Sequence, residues 1–210
     1  MRGQFITLEG SEGAGKSTNV DSVCATLDNA GIRYLRTREP GGTPMAEALR
    51  ESMLHKWEEQ VDALAELLLV FAARAQHLTN VIEPALDRGQ WVVCDRFTDA
   101  SFAYQGYGRQ LDLKVLETLE SWVQGSLQPD LSLYLDLELD IAQTRIADRE
   151  KDRMEEEQRE FFVRVREGYL ARAEKFERIV TINAGRPLAV VQADVCSAIT
   201  HFINVSSVLA

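Results

Sequence analysis

The chain has 210 residues, 45% hydrophobic and 27% charged, which suffices for one well-filled core and lies only slightly above the usual domain size. Its 23 Lys and Arg against 33 Asp and Glu give a net charge of -10, which argues against wrapping a nucleic acid polymer through a broad basic face. Cys24, Cys94 and Cys196 are odd in number, far apart and outside any CxxC pair, so reduced thiols packed as small apolar residues are expected rather than a disulfide frame or zinc site.

Met1 runs straight into a strand pattern, without a basic start and a long apolar run, so the expectation is a cytoplasmic protein that does not enter a membrane. Phe5 to Glu9 is a short run of apolar and β-branched residues; a Gly-rich turn follows, then a helical stretch from Ser17 to about Asn29 that ends at Gly31. Tyr34 to Arg38 reads as a second strand, broken by Pro40-Gly41-Gly42 before a helix that Pro44 is suited to start. Leu64, Leu67, Leu68, Phe71, Ala75, Leu78 and Ile82 recur at three- and four-residue steps, predicting one long helix with a wide buried stripe that ends near Asp87-Arg88-Gly89. Trp91 to Cys94 and Leu131 to Leu135 are compact apolar runs, expected to be strands covered on both faces, and each is followed by an aspartate, Asp95 and Asp136. Leu139 to Phe176 is highly charged and helical, Arg178 to Asn183 returns to a strand, and Pro187 opens the last helix. With no repeat and no linker-like stretch, residues 1–210 read as a single domain. Alternating strands and helices predict an α/β fold with a parallel sheet between helical layers, and ligands then belong at the carboxyl ends of the strands.

The segment Gly10-Ser11-Glu12-Gly13-Ala14-Gly15-Lys16-Ser17 matches GxxxxGK[ST] and lies between a predicted strand and a predicted helix, the context that its chemistry requires. Its glycines let backbone N–H groups turn toward phosphates and the helix N-terminus adds a positive end. Lys16 reaches the outer phosphates and the Ser17 hydroxyl can ligate magnesium, while Thr18 sits in the first turn. This gives nucleoside triphosphate binding without separating a kinase from a GTPase or motor. Asp95 and Arg96 follow a strand end, where an acid can hold hydrated magnesium and an arginine can neutralise the attacking phosphate; a buried ion pair is the plain alternative. Arg38, ahead of the Pro40 turn, is a second arginine at a strand end.

EGSEGAGKST at 9 to 18, TREPGGT at 37 to 43, DRF at 95 to 97 and SFAYQGYGR at 101 to 109 together resemble the bacterial thymidylate kinase family, and the resemblance runs through nearly the whole chain. It implies a three-layer P-loop nucleoside monophosphate kinase fold: a central parallel five-stranded sheet with helices on both faces and a helical lid. It also implies a homodimer that makes dTDP from dTMP with ATP and Mg2+. By that similarity Gly10, Ser11, Gly13, Ala14, Gly15, Lys16, Ser17 and Thr18 would hold ATP, and Ser17 and Asp95 the metal. Arg38, Pro40 and Arg96 would face the acceptor, with the arginines on its phosphate, and Glu12 would lie near the deoxyribose 3′-hydroxyl. Phe71 would stack on thymine, Arg74 would point at a thymine carbonyl, and Ser101, Tyr104 and Gln105 would read the base and crowd the sugar. On spacing alone Phe71 is a core residue, and packing under a loop explains Tyr104 equally well.

The charged stretch from Arg145 resembles the family's lid, about residues 145–158. Because the phosphate loop carries no arginine, Arg149, with Arg153 four residues on along a helix face, is expected to bind ATP and balance charge between the phosphates. Lys16, Asp95, Arg96, Glu12, Arg149 and Arg153 form the expected catalytic set. Two other readings remain open on the residues: a kinase of a different nucleotide or nucleoside, and a nucleotide-sensing switch without an acceptor. The lack of an NKxD element counts against a GTPase.

Overall fold

A computed structural model describes residues 2–145 and 152–208. Five strands, β1 (Phe5–Glu9), β2 (Tyr34–Arg38), β3 (Trp91–Asp95), β4 (Leu131–Asp136) and β5 (Ile179–Asn183), form one sheet in the order β2-β3-β1-β4-β5. All neighbouring pairs are parallel. β1 is buried along its whole length, as expected of a central strand covered on both faces. The chain builds outward to one side of β1 and then to the other, so a crevice opens beyond the carboxyl end of β1. Register makes that crevice polar. Leu8 and Arg38 both pair across from Asp95, which sets the last residues of β1, β2 and β3 side by side.

One face is covered by α1 (Lys16–Asn29) and α9 (Leu188–Val208), whose Val20, Val23, Leu27, Val191, Val195 and Ile199 pack on Ile6, Leu8 and Leu133. The stretch Leu188–Ser206 is long and apolar enough by composition to cross a membrane, yet this buried stripe makes it one layer of the fold. On the other face, Leu78, Ile82 and Leu86 pack on Phe5, Val92 and Cys94, while α8 (Arg159–Lys175) brings Tyr169 onto Tyr134 of β4. The result is three layers.

The expected long helix is divided. α3 (Ala63–His77) passes into a π-helical turn, Leu78–Ile82, before α4 (Glu83–Asp87). Pro84 has no N–H to give to the carbonyl four residues back, which accounts for the widened turn before it. Leu64 and Leu68, counted in the buried stripe, are 45% and 49% exposed.

Helical turns that periodicity did not mark are α5 (Thr98–Ser101), a π-helical stretch Phe102–Gly108, and α6 (Leu113–Gln124). The π-helical stretch lies close on α8 because glycines meet there: a Cβ on Gly168 would stand 2.9 Å from Ala103 Cα, and one on Gly108 would stand 2.6 Å from the Phe161 ring. α2 (Pro44–Leu54) starts at Pro44 as anticipated, with the Thr43 hydroxyl capping Ala46 N–H at 3.1 Å. The charged segment contains α7 (Leu139–Arg145) and α8, but Arg153 lies in a turn, so the helix face expected to carry it is not formed there. The three cysteines are free.

Candidate active site

β1 delivers the chain into the phosphate loop, Gly15 takes a left-handed conformation as N-cap, and Lys16 opens α1. Lys16 Nζ donates to Ser11 O at 3.1 Å and lies 3.9 Å from Glu12 Oε1. Burial and then the nearby Arg96 charge lower its pKa, so an arriving anion would favour its charged form. The loop opens on a polar cavity of about 480 Å³ that also exposes Ser17, Arg38, Arg50, Asp95 and Arg96. Arg50 of α2 had no motif to announce it. Its pKa is lowered by burial and then by Arg38 and Arg96, as expected where several cations share one cavity. Gly13, Gly15 and Thr18 line the same cavity, whereas Gly10 packs on Leu135 and Ala14 joins the core.

Arg96 has φ 69, an uncommon backbone for a non-glycine residue. It is held there by neighbours: Phe97 N–H donates to Glu9 Oε1 at 2.8 Å, and Arg96 itself pairs with Glu12 and donates to the Tyr169 hydroxyl at 3.3 Å. Its guanidinium lies 4.9 Å from the Tyr104 ring centroid. Burial, with Asp99 nearby, raises the Glu9 carboxyl to about 8. Neither Glu9 nor Tyr169 belongs to a pattern that spacing could flag. Asp95 Oδ1 is buried, has no hydrogen-bond partner among the described residues, and shares the cavity with the Ser17 hydroxyl. One free carboxylate oxygen and one hydroxyl suit a hard cation that completes its shell with phosphates and water.

A second, smaller cavity adjoins the first. Pro40, Val70, Arg74, Phe97, Ser101, Tyr104 and Gln105 line it. Arg74 is fixed on two sides, Nε donating to Glu39 Oε2 at 2.7 Å and Nη2 to Ser101 Oγ at 2.8 Å. Its Nη1 and the Tyr104 hydroxyl are buried and make no hydrogen bond among the described residues, although the Arg96 guanidinium lies close over the Tyr104 ring. Phe71 is not in the cavity wall. It packs with Leu67, Phe102 and Leu116, 4.7 Å below the Arg74 guanidinium, and the preceding residue, Val70, faces the cavity instead. Successive helical side chains point about 100° apart, so the aromatic one residue on is turned away.

Arg149 lies outside the described residues. Arg153 stands on the second cavity's side rather than at the phosphate loop, with Nε donating to Met53 O and Nη2 to Glu66 Oε2, both at 2.8 Å. Glu66 is fully buried and also accepts from Gln105 Nε2 and Arg109 Nη2, each at 2.9 Å. Burial would raise this carboxyl, but Arg109 and the other donors hold it below its ordinary value. Arg145 Nη1 and Nη2 donate to Gly13 O and Ala184 O, each at 3.1 Å, joining the phosphate loop to the turn after β5. The two cavities meet through Glu12, Glu39, Arg50 and Arg96, which line both.

The thymidylate kinase family model matches residues 8–195. The chain is 56% identical over 205 residues to a thymidylate kinase of Teredinibacter turnerae, covering 97% of this chain and 100% of that one. It is 57% identical over 203 residues to one of Chromohalobacter salexigens, with 95% and 96% covered. Against one of Pseudomonas fluorescens the identity is 53% over 206 residues, with 97% and 98% covered.

Proposed function

The chain belongs to the thymidylate kinase family, and we propose that it transfers the γ-phosphate of ATP to dTMP, giving dTDP and ADP for dTTP synthesis. The observation that carries this reading is the shared wall of the two cavities, where Arg96 and Arg50 can be reached from both sides. A triphosphate in the loop and a monophosphate in the adjoining cavity would meet there, across cations rather than across water.

In this reading Lys16, Arg38 and Arg96, with Arg50 beside them, neutralise charge on the phosphates and bring donor and acceptor into line. The acceptor is a phosphate monoester and already largely ionised at neutral pH, so no strong general base is needed. Glu12 holds Arg96 in place and stands where a deoxyribose hydroxyl would pass. Thymine would lie against Arg74, Ser101, Tyr104 and Gln105, with Phe97 and Val70 as apolar walls. Mg2+, when bound between Ser17 and Asp95, would offset phosphate charge. Residues 1–210 act as one kinase domain whose segment 145–158 closes over ATP, brings in Arg149 and excludes water.

We assign a cytoplasmic homodimer. α3 packs on α6, and the two helices present Leu64, Leu68, Val115 and the 79% exposed Trp122, an apolar surface that a second copy would cover.

A coupled assay with dTMP, dUMP, dCMP and AMP side by side tests the activity. dTMP is expected to be the best acceptor. Preference for another base would end the thymine assignment, and ATP turnover that proceeds equally fast without any acceptor would favour a nucleotide switch.

A further inference from the structure

α3 carries a buried polar residue that the reaction does not use. His77 is fully buried, three residues beyond Arg74 on the same side of the helix. Its Nδ1 lies 3.1 Å from Glu39 Oε1 and its Nε2 lies 2.7 Å from Thr37 Oγ1. A carboxylate can only accept, so the pairing puts a ring hydrogen on Nδ1, while Nε2 shares the second hydrogen bond with the Thr37 hydroxyl. The other Glu39 oxygen receives Arg74 Nε at 2.7 Å. A line of bonds therefore runs from β2 through His77 and Glu39 to Arg74, which lines the acceptor cavity and whose Nη1 has no hydrogen-bond partner among the described residues.

The fit between His77 and the loop explains a glycine. A Cβ on Gly42 would stand 2.4 Å from His77 Nε2 and 2.8 Å from Thr37 Oγ1, and Gly42 has φ +85. The turn that carries Arg38 and Glu39 is thus shaped around the imidazole. Glu39, Arg74 and His77 are 3%, 1% and 0% exposed, so water cannot stand in for a lost partner without rearrangement.

We infer that His77 is a positioning residue for nucleobase recognition: it fixes the Glu39 carboxylate, and through it turns the free Nη1 of Arg74 toward the base. This rests on the placement of thymine against Arg74 proposed above. A guanidinium held at Nε and Nη2 presents Nη1, which can only donate, in a fixed direction, which suits a carbonyl on the base and opposes an amino group at the same place. Release of Glu39 would let Arg74 swing, weakening that choice while leaving the cations of the phosphate site where they are.

The test is steady-state kinetics with dTMP and dCMP on His77→Leu, His77→Asn, Thr37→Val, Arg74→Gln and the Arg74→Gln/His77→Leu double variant, each checked for folding by its thermal midpoint. His77→Leu is expected to raise the dTMP KM roughly tenfold and narrow the preference for dTMP over dCMP, with kcat within about twofold of the parent. His77→Asn, which can keep a donor toward Glu39, should recover most of the loss. In the Arg74→Gln background His77→Leu should add nothing further, because it acts through Arg74. A folded His77→Leu with the parental dTMP KM, alongside an impaired Arg74→Gln, overturns the positioning role and leaves the base site standing. A parental dTMP KM in Arg74→Gln instead overturns the base site itself. Should His77→Leu fail to fold, Thr37→Val decides: a raised dTMP KM at parental kcat supports the role, and an unchanged one overturns it.

Discussion

Arg153 Nη2 lies 2.8 Å from Glu66 Oε2, which ties the end of the charged segment to a carboxylate buried inside α3. The same carboxylate holds Gln105 and Arg109, so one group anchors the wall of the acceptor cavity and the strand of chain that covers it. Breaking a buried ion pair from one side leaves uncompensated charge, which is far costlier than the net worth of the pair.

Glu66→Gln should therefore lower stability by roughly 3 kcal/mol, since two arginines would face a neutral amide. It should also raise the dTMP KM through Gln105. Chemical denaturation and acceptor kinetics on the same preparation measure both, and a loss below experimental error in each would show that Glu66 is dispensable.

Glu9 gives a pH signature. Burial raises its carboxyl to about 8 from an ordinary 4.5, so between those values the folded chain binds a proton that the unfolded chain releases. Stability from this group is thus complete below pH 4.5 and declines as pH climbs toward 8, by about 1.4 kcal/mol for each unit of difference in pKa. Glu9→Gln should flatten that decline, seen as a smaller gap between urea midpoints at acid and alkaline pH. An unchanged gap would mean that Glu9 is ionised in the folded protein.

Arg149→Ala should cut turnover by roughly three orders of magnitude, the scale of arginines that neutralise phosphoryl-transfer charge, while each nucleotide still binds within a few-fold. Rapid-quench single turnover separates the chemical step from release. Parental turnover would remove Arg149 from the mechanism and direct attention to Arg145, which already touches the phosphate loop.

Asp95→Asn should raise the magnesium concentration needed for half-maximal rate about tenfold or more, because the free Oδ1 loses its charge. A magnesium titration at saturating ATP reads this directly, and an unshifted curve would exclude Asp95 as a ligand.

Leu68→Glu and Trp122→Glu each place a carboxylate on the apolar face of α3 and α6. Both should yield monomers by sedimentation with the helical content preserved. A parental sedimentation coefficient in both variants would move any dimer surface elsewhere.

The phosphate loop could be read directly because its chemistry is local: glycines, a lysine and a serine act through backbone within one strand, turn and helix. The five strands and the starts of α1, α2 and α9 were legible for a similar reason, since runs of apolar residues and the placement of Pro and Gly report local conformation. Arg38, Asp95 and Arg96 drew notice as polar residues at strand ends, but that they stand together follows from the β2-β3-β1 order and its register. Periodicity says that a helix face is covered without saying by what. Hence Phe71 was placed against a base while Val70 lines the cavity, and exposed Leu64 and Leu68 were counted as core. Arg50, Glu66, His77 and Tyr169 sit in stretches with no distinguishing pattern, because their partners lie far along the chain and only folding brings them within a hydrogen bond. Spacing along the chain carries what acts over a few residues; charges and donors that converge from separate elements belong to the packed sheet and its crevice.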